Sequence, residues 1–319
     1  MAPPGDGHES GGAILAAFTA NVGIAATKFA GFLITGSASL LAESIHSVAD
    51  SSNQGLLFLG GRQASRAPNE LHQFGYGRVR YFWAFVVAVV LFSLGGLFSA
   101  YEGYHKISDP HDIDSPAVAL AILGVALVFE SFALRTAARH SAPDRGTRSW
   151  TRYIRESRSP ELPVLLLEDS GALLGLAFAL LGVLLTLITG NPVFDGIGTL
   201  AIGVLLVCVA GVLAVEMRSL LIGESASPEL QRSIEAEFEH TAGVRRVIHV
   251  LTQHLGPDEL LVAAKVEFDP ELTTAQLVDA INACERNVRA TAGAGVARIY
   301  VEPDIGERES ISEAAPRPA

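Results

Sequence analysis

The sequence predicts an α-helical membrane protein: six transmembrane helices followed by a small soluble α/β domain. Three observations carry this. The 319-residue chain is 49% hydrophobic with a mean hydropathy of +0.35, too apolar for a soluble protein of this size. Long stretches without charge fill its first two-thirds, whereas charged residues crowd the last third. Arginines gather in alternate connections between the apolar stretches, the pattern of a membrane domain with one fixed orientation.

Six apolar segments, each near the roughly 20 residues a spanning helix needs, are predicted over 13–35, 38–61, 80–104, 115–138, 162–189 and 194–221. Residues 1–12 (MAPPGDGHESGG) read as a disordered tail. They have neither a basic n-region nor a cleavage signature, so the first apolar segment is expected to be a retained helix. The loop between segments 2 and 3 carries Arg62, Arg66, Arg78 and Arg80, and that between 4 and 5 carries Arg139, Arg145, Arg148, Arg152, Arg155 and Arg158. The 1–2 and 5–6 turns have no Lys or Arg, and the 3–4 loop has only Lys106 among several acids. By the positive-inside rule both termini are cytosolic, and the expected location is a bacterial plasma (inner) membrane.

Residues 223–304 read as a cytosolic domain of order α-β-β-α-β. PELQRSIEAEFEHT suits a helix; VRRVIHVLTQHLG and ELLVAAKVEFD alternate as strands do, with GPDE as the turn between them. TTAQLVDAINACERNVRAT suits a second amphipathic helix with Thr273 or Thr274 near its N-cap, and VARIYVEPD a closing strand. Residues 305–319 are polar and Pro-containing and are expected to be disordered.

Composition narrows the function. A net charge of −11 argues against nucleic acid as a partner. The two cysteines, Cys208 and Cys284, form no CxxC or Cys/His cluster, which argues against a thiolate zinc site or a disulfide framework.

Four ionisable residues lie where a bilayer excludes charge: His46 and Asp50 in the second segment, Glu168 and Asp169 in the fifth. His46 and Asp50, four residues apart, share one helix face about 6 Å apart along the axis. Imidazole with carboxylate suits Zn²⁺, and equally Co²⁺, Fe²⁺ or Mn²⁺. Two ligands do not complete a site, and segments 2 and 5, antiparallel with their acids at similar depth, can join to supply the rest. A buried hydrogen-bonded pair without metal is the competing reading. Glu168 sits about 100° round the helix from Asp169, so both cannot point squarely at one ion; a packing or proton-relay carboxylate is its alternative role. Asn21 and Asn53 are candidates to line the cavity or to bond between helices. Lys28 and Glu130 are candidates to pair, to snorkel or to carry protons.

Together these features resemble the cation diffusion facilitator family of divalent-metal/proton antiporters. The resemblance covers about residues 13–304. It rests on the six-span plan, on TGSASLLAESIHSVADSSNQ (35–54), on the basic loop ending HQFGYGRVR, on LLLEDSGALLG (165–175) and on the α-β-β-α-β tail. It implies a Y-shaped homodimer with a ferredoxin-like cytosolic domain and a central ion site built from spans 2 and 5. It assigns His46, Asp50 and Asp169 as ligands. The family's first ligand position in span 5 holds Leu165 here, a departure shared with the zinc transporter 9-like branch, and Glu168 is the natural substitute. Two peripheral family sites are degraded: Asn69, His72 and Tyr76 stand in the 2–3 loop, and His249, Lys265, Tyr300 and Glu302 in the soluble domain. A lysine at a ligand position repels a cation, so dimerisation without a zinc cluster is expected there. Arg78 and Glu224 match the charge interlock joining the arms of dimeric relatives.

The expected function is export of a divalent cation, Zn²⁺ first, in exchange for protons, with no cofactor and no enzymatic activity. His46 suits proton coupling because imidazole titrates near neutrality. A non-transporting scaffold or partner subunit of the same fold is the alternative. An intramembrane hydrolase is the remote one, since no GxSxG-type nucleophile is present, although Ser44 and Ser47 lie close to His46.

Overall fold

The computed structural model describes residues 22–292 and 296–304. The predicted tails 1–12 and 305–319, the start of the first segment and Asn21 lie outside the described residues. The chain divides into two compact units, Met1–Leu221 and Ile222–Ala319.

The first unit is helical. Its described elements are α1 (Val22–Thr35), α2 (Ala38–Ala64), α3 (Val79–Ser108), α4 (Pro116–Arg145), the short α5 (Trp150–Glu156), α6 (Glu161–Thr189) and α7 (Val193–Ile222). Four of these, α3, α4, α6 and α7, are long and apolar enough to cross a membrane. The six spans expected from sequence are thus met by four helices on this measure. The described part of the first, Val22–Thr35, is short. The second, α2, has 27 residues but carries Glu43, His46, Asp50, Asn53 and Gln54, which dilute its hydropathy. α4 runs seven residues past its predicted end at 138, because the arginine-flanked alanine-rich stretch TAARHSA keeps helical propensity beyond the apolar region. The short α5 was not foreseen. Its Tyr153, almost fully buried, packs with Ala137 of α4 and Leu166 of α6.

Small residues let the helices approach closely. A β-carbon on Gly182 of α6 would stand 2.9 Å from the Phe194 carbonyl oxygen, and one on Gly198 of α7 would stand 2.8 Å from that of Phe178. The start of α2 is fixed from α7. The buried Asp195 carboxylate accepts hydrogen bonds from Ala38 N (2.8 Å), Ser37 Oγ (3.0 Å) and Ser39 N (3.3 Å). An anion at a helix N-terminus satisfies free N–H groups and complements the helix dipole. This cap fixes the register from which His46 and Asp50 are counted.

The second unit has the predicted order: α8 (Pro228–Glu239), β1 (Val244–Gly256), β2 (Glu259–Phe268), α9 (Thr274–Ala292) and β3 (Val296–Asp304). The sheet order is β1-β2-β3, with β1 antiparallel and β3 parallel to β2. Along β2 burial alternates, so Leu260, Val262, Ala264, Val266 and Phe268 face the core beside Ile234, Phe238, Cys284 and Val288 of the helices. Thr273 caps α9: its N and Oγ1 donate to Gln276 Oε1 and its Oγ1 accepts from Gln276 N, a capping box.

Candidate metal centre

His46 and Asp50 lie on one face of α2, Nδ1 to Oδ1 3.5 Å apart. The separation is too long for a good hydrogen bond. His46 is 1% exposed, yet neither ring nitrogen has a hydrogen-bond partner among the described residues, and Asp50 Oδ1 and Asp169 Oδ2 share that condition. Buried polar atoms normally find partners, and leaving several unpaired in one region costs kilocalories each. Such atoms suit groups that exchange protons and a cation.

Asp50, Glu168 and Asp169 line a single cavity of about 680 Å³ between α2, α4 and α6. His46 lies outside that lining, 3.5 Å from Asp50 and close to Gly95 of α3. There α3 widens into a π-helical stretch, Leu91–Leu97, and a β-carbon on Gly95 would stand 3.8 Å from His46 Nδ1. A β-carbon there would meet the imidazole only at ordinary van der Waals distance, and π-segments recur at functional sites. Glu168, 3% exposed, accepts a 2.6 Å hydrogen bond from Asn53 Nδ2. The structure therefore brings three of the four predicted groups to one cavity and leaves the fourth, His46, outside its lining, 3.5 Å from Asp50. Among the described residues no three His, Cys, Asp or Glu side chains converge tightly enough to grip an ion. Leu165 also lines the cavity.

Lys28 does not pair with Glu130. Its ammonium bonds Glu43 Oε2 (3.0 Å) and Ser47 Oγ (2.8 Å), with both charged side chains essentially inaccessible. Glu43, which sequence reasoning passed over, stands one turn before His46. Its signal was present: a second acid on α2 beside Asp50, three residues before His46.

Of the peripheral positions, Asn69, His72, Tyr76, Lys265 and Glu302 are engaged in local bonds. Asn69 Nδ2 donates to Tyr76 Oη at 2.7 Å, and the His72 and Tyr76 rings stack 4.5 Å apart. His249, Lys265 and Glu302 stand side by side across the three strands. Lys265 bonds Glu302 (3.1 Å) and Asp304 (3.4 Å), and the hydrogen bond to Glu302 holds its ammonium above the ordinary lysine range.

The family signature described as the cation efflux transmembrane domain matches residues 14–222. The chain belongs to the cation diffusion facilitator family. As a facilitator of the zinc transporter 9-like branch, it is 36% identical over 250 residues to the mitochondrial proton-coupled zinc antiporter SLC30A9 of Mus musculus, and equally to that of Homo sapiens. Each match covers 77% of this chain and 44% of the relative, so the chain spans less than half the length of these proteins. It is also 24% identical over 264 residues to the magnetosome protein MamM of Paramagnetospirillum magneticum, covering 80% of this chain and 76% of that one. Within the facilitator fold, the multi-pass helical unit carries the predicted ionisable residues and the small mixed sheet follows it.

Proposed function

We propose that this facilitator is a divalent cation/proton antiporter that exports Zn²⁺ from the cytosol by alternating access. The observation that carries the reading is the cavity shared by Asp50, Glu168 and Asp169, with His46, whose ring nitrogens have no hydrogen-bond partner among the described residues, 3.5 Å from Asp50. The relatives named as proton-coupled zinc antiporters support zinc as the ion.

In this reading His46, Asp50 and Asp169 are the ligands and Glu168 is an auxiliary oxygen donor positioned by Asn53. Metal binding requires these groups deprotonated, so ion and protons compete for the same atoms. A cytosol-facing cavity loads the cation; movement of α2 and α6 draws the ligands together and exposes them to the other side. Protonation there displaces the ion. The cavity extends to His140 and Leu162, at the ends of α4 and α6 that the arginine distribution assigns to the cytosol. We further infer six spans, α1 and α2 included, both termini cytosolic, a bacterial plasma membrane, and a homodimer joined through the ferredoxin-like C-terminal unit.

The test is zinc-driven proton flux in proteoliposomes. Asp50→Ala and Asp169→Ala should abolish it while the dimer still forms on size exclusion. Undiminished flux in both variants would remove these residues from the centre.

A further inference from the structure

We propose that α4 supplies a cation-loading path, with Glu130 as its inner carboxylate and His140 as its outer imidazole. This rests on the transport reading above and adds a helix that carries none of the predicted ligands.

Glu130, Ala133, Ala137 and His140 follow at steps of three, four and three residues, with Thr136 beside Ala137, so they form one stripe on α4. All of them line the cavity that holds Asp50 and Asp169. The stripe is about 15 Å long at 1.5 Å per residue. His140 is exposed at its outer end; Glu130, half-buried, lies toward the centre.

The chemistry of both ends suits a passing cation. His140 Nδ1 is 2.9 Å from the Thr136 carbonyl oxygen. A carbonyl only accepts, so Nδ1 carries the hydrogen, and in the neutral ring Nε2 keeps its lone pair. Ligating histidines are commonly fixed through their other nitrogen in this way. Among the described residues Glu130 has no hydrogen-bond or salt-bridge partner. A carboxylate in an apolar wall without a partner leaves its field directed into the cavity. The same end of the unit carries Arg139, Arg145, Arg148, Arg152, Arg155 and Arg158 against Asp144, Glu156 and Glu161, with Glu156 paired to Arg148 and Arg152, a net positive rim that repels a divalent cation. Anionic groups inside a low-dielectric cleft counter such a rim by focusing the field and raising local cation concentration.

The role is to guide the ion, so its signature is a change in half-saturating metal rather than in maximal rate. Zn²⁺ flux is followed with an entrapped indicator in proteoliposomes of the full chain at two salt concentrations. Glu130→Gln should raise half-saturating Zn²⁺ about tenfold, within the range of electrostatic focusing, and lower the maximal rate by a factor of no more than about two. Its residual flux should respond less to added salt than that of the wild type. Glu130→Asp should restore most of the loss, and His140→Ala should raise half-saturating Zn²⁺ about threefold. A Glu130→Gln protein with wild-type half-saturation and salt dependence, alongside an inactive Asp50→Ala, overturns the path and leaves the centre standing. Loss of maximal rate at unaltered half-saturation also overturns it. Flux persisting in both Asp50→Ala and Asp169→Ala overturns the centre, and the path with it. If Glu130→Gln does not fold, His140→Ala, at an exposed position, decides alone: unaltered half-saturation overturns the path.

Discussion

Asn53 Nδ2 donates a 2.6 Å hydrogen bond to Oε1 of Glu168, tying α2 to α6 one turn beyond Asp50. The bond occupies one carboxylate oxygen and fixes the side chain, so Glu168 meets the cavity as a held group. Glu168→Gln keeps an acceptor for Asn53 and removes the charge, while Asn53→Ala keeps the charge and removes the support. Each should weaken Zn²⁺ binding about tenfold, the range for groups that orient ligands, whereas Asp50→Asn and Asp169→Asn should abolish saturable binding. Titration calorimetry in detergent decides. A loss in Glu168→Gln as complete as in Asp50→Asn would make Glu168 a full ligand.

The Lys28–Glu43 pair is buried on both sides. Removing one partner leaves an uncompensated charge, so Lys28→Met should cost about 3–5 kcal/mol. The double variant Lys28→Met/Glu43→Leu should recover most of that, because neither desolvation penalty remains. Thermal unfolding of the purified protein reads both. On the far side of Glu43, a β-carbon on Gly175 would stand 2.8 Å from Oε1, so Gly175→Ala should lower the melting temperature by displacing the carboxylate.

Leu165 lines the cavity one turn before Asp169 on α6. Leu165→His places a nitrogen donor there and should tighten Zn²⁺ binding by about tenfold, a gain of about 1.4 kcal/mol. Unchanged affinity would show that the α6 backbone aims this position away from the ion.

Burial pushes the Cys284 thiol above its ordinary range, while the exposed Cys208 lies on α7. A raised thiol value means folding stabilises the protonated form. That stability is present below the ordinary cysteine range and is lost as pH rises from there through the raised value. In a Cys208→Ser background, Cys284 should react with a thiol reagent at pH 8 only after denaturant is added. Rapid labelling of the native protein would contradict its place in the core.

The element plan was legible because its signals are local. Apolar length marks α3, α4, α6 and α7; two-residue alternation marks β2, with its five buried positions; the Thr273 cap signal marks the start of α9. His46, Asp50 and Asp169 stand out in the sequence as ionisable residues within apolar segments. Two local features escaped. α5 is too short for periodicity to reveal, and the continuation of α4 past 138 leaves the apolar region on which its end was judged. α2 falls short of a spanning helix by hydropathy because Glu43, His46, Asp50, Asn53 and Gln54 make it polar.

The sequence by itself determined the helical membrane-type unit, the α-β-β-α-β tail and the helix face shared by His46 and Asp50, since each follows from spacing along one chain segment. Only the tertiary structure decided which buried charges meet. It gave Lys28 to Glu43 rather than Glu130, Glu168 to Asn53, and the α2 N-terminus to Asp195, and it set Glu130 and His140 on the cavity wall. Those pairings depend on how far each helix is rotated and how closely it approaches its neighbours. Rotation and approach are set by contacts such as Gly182 with Gly198, between residues that no local pattern links.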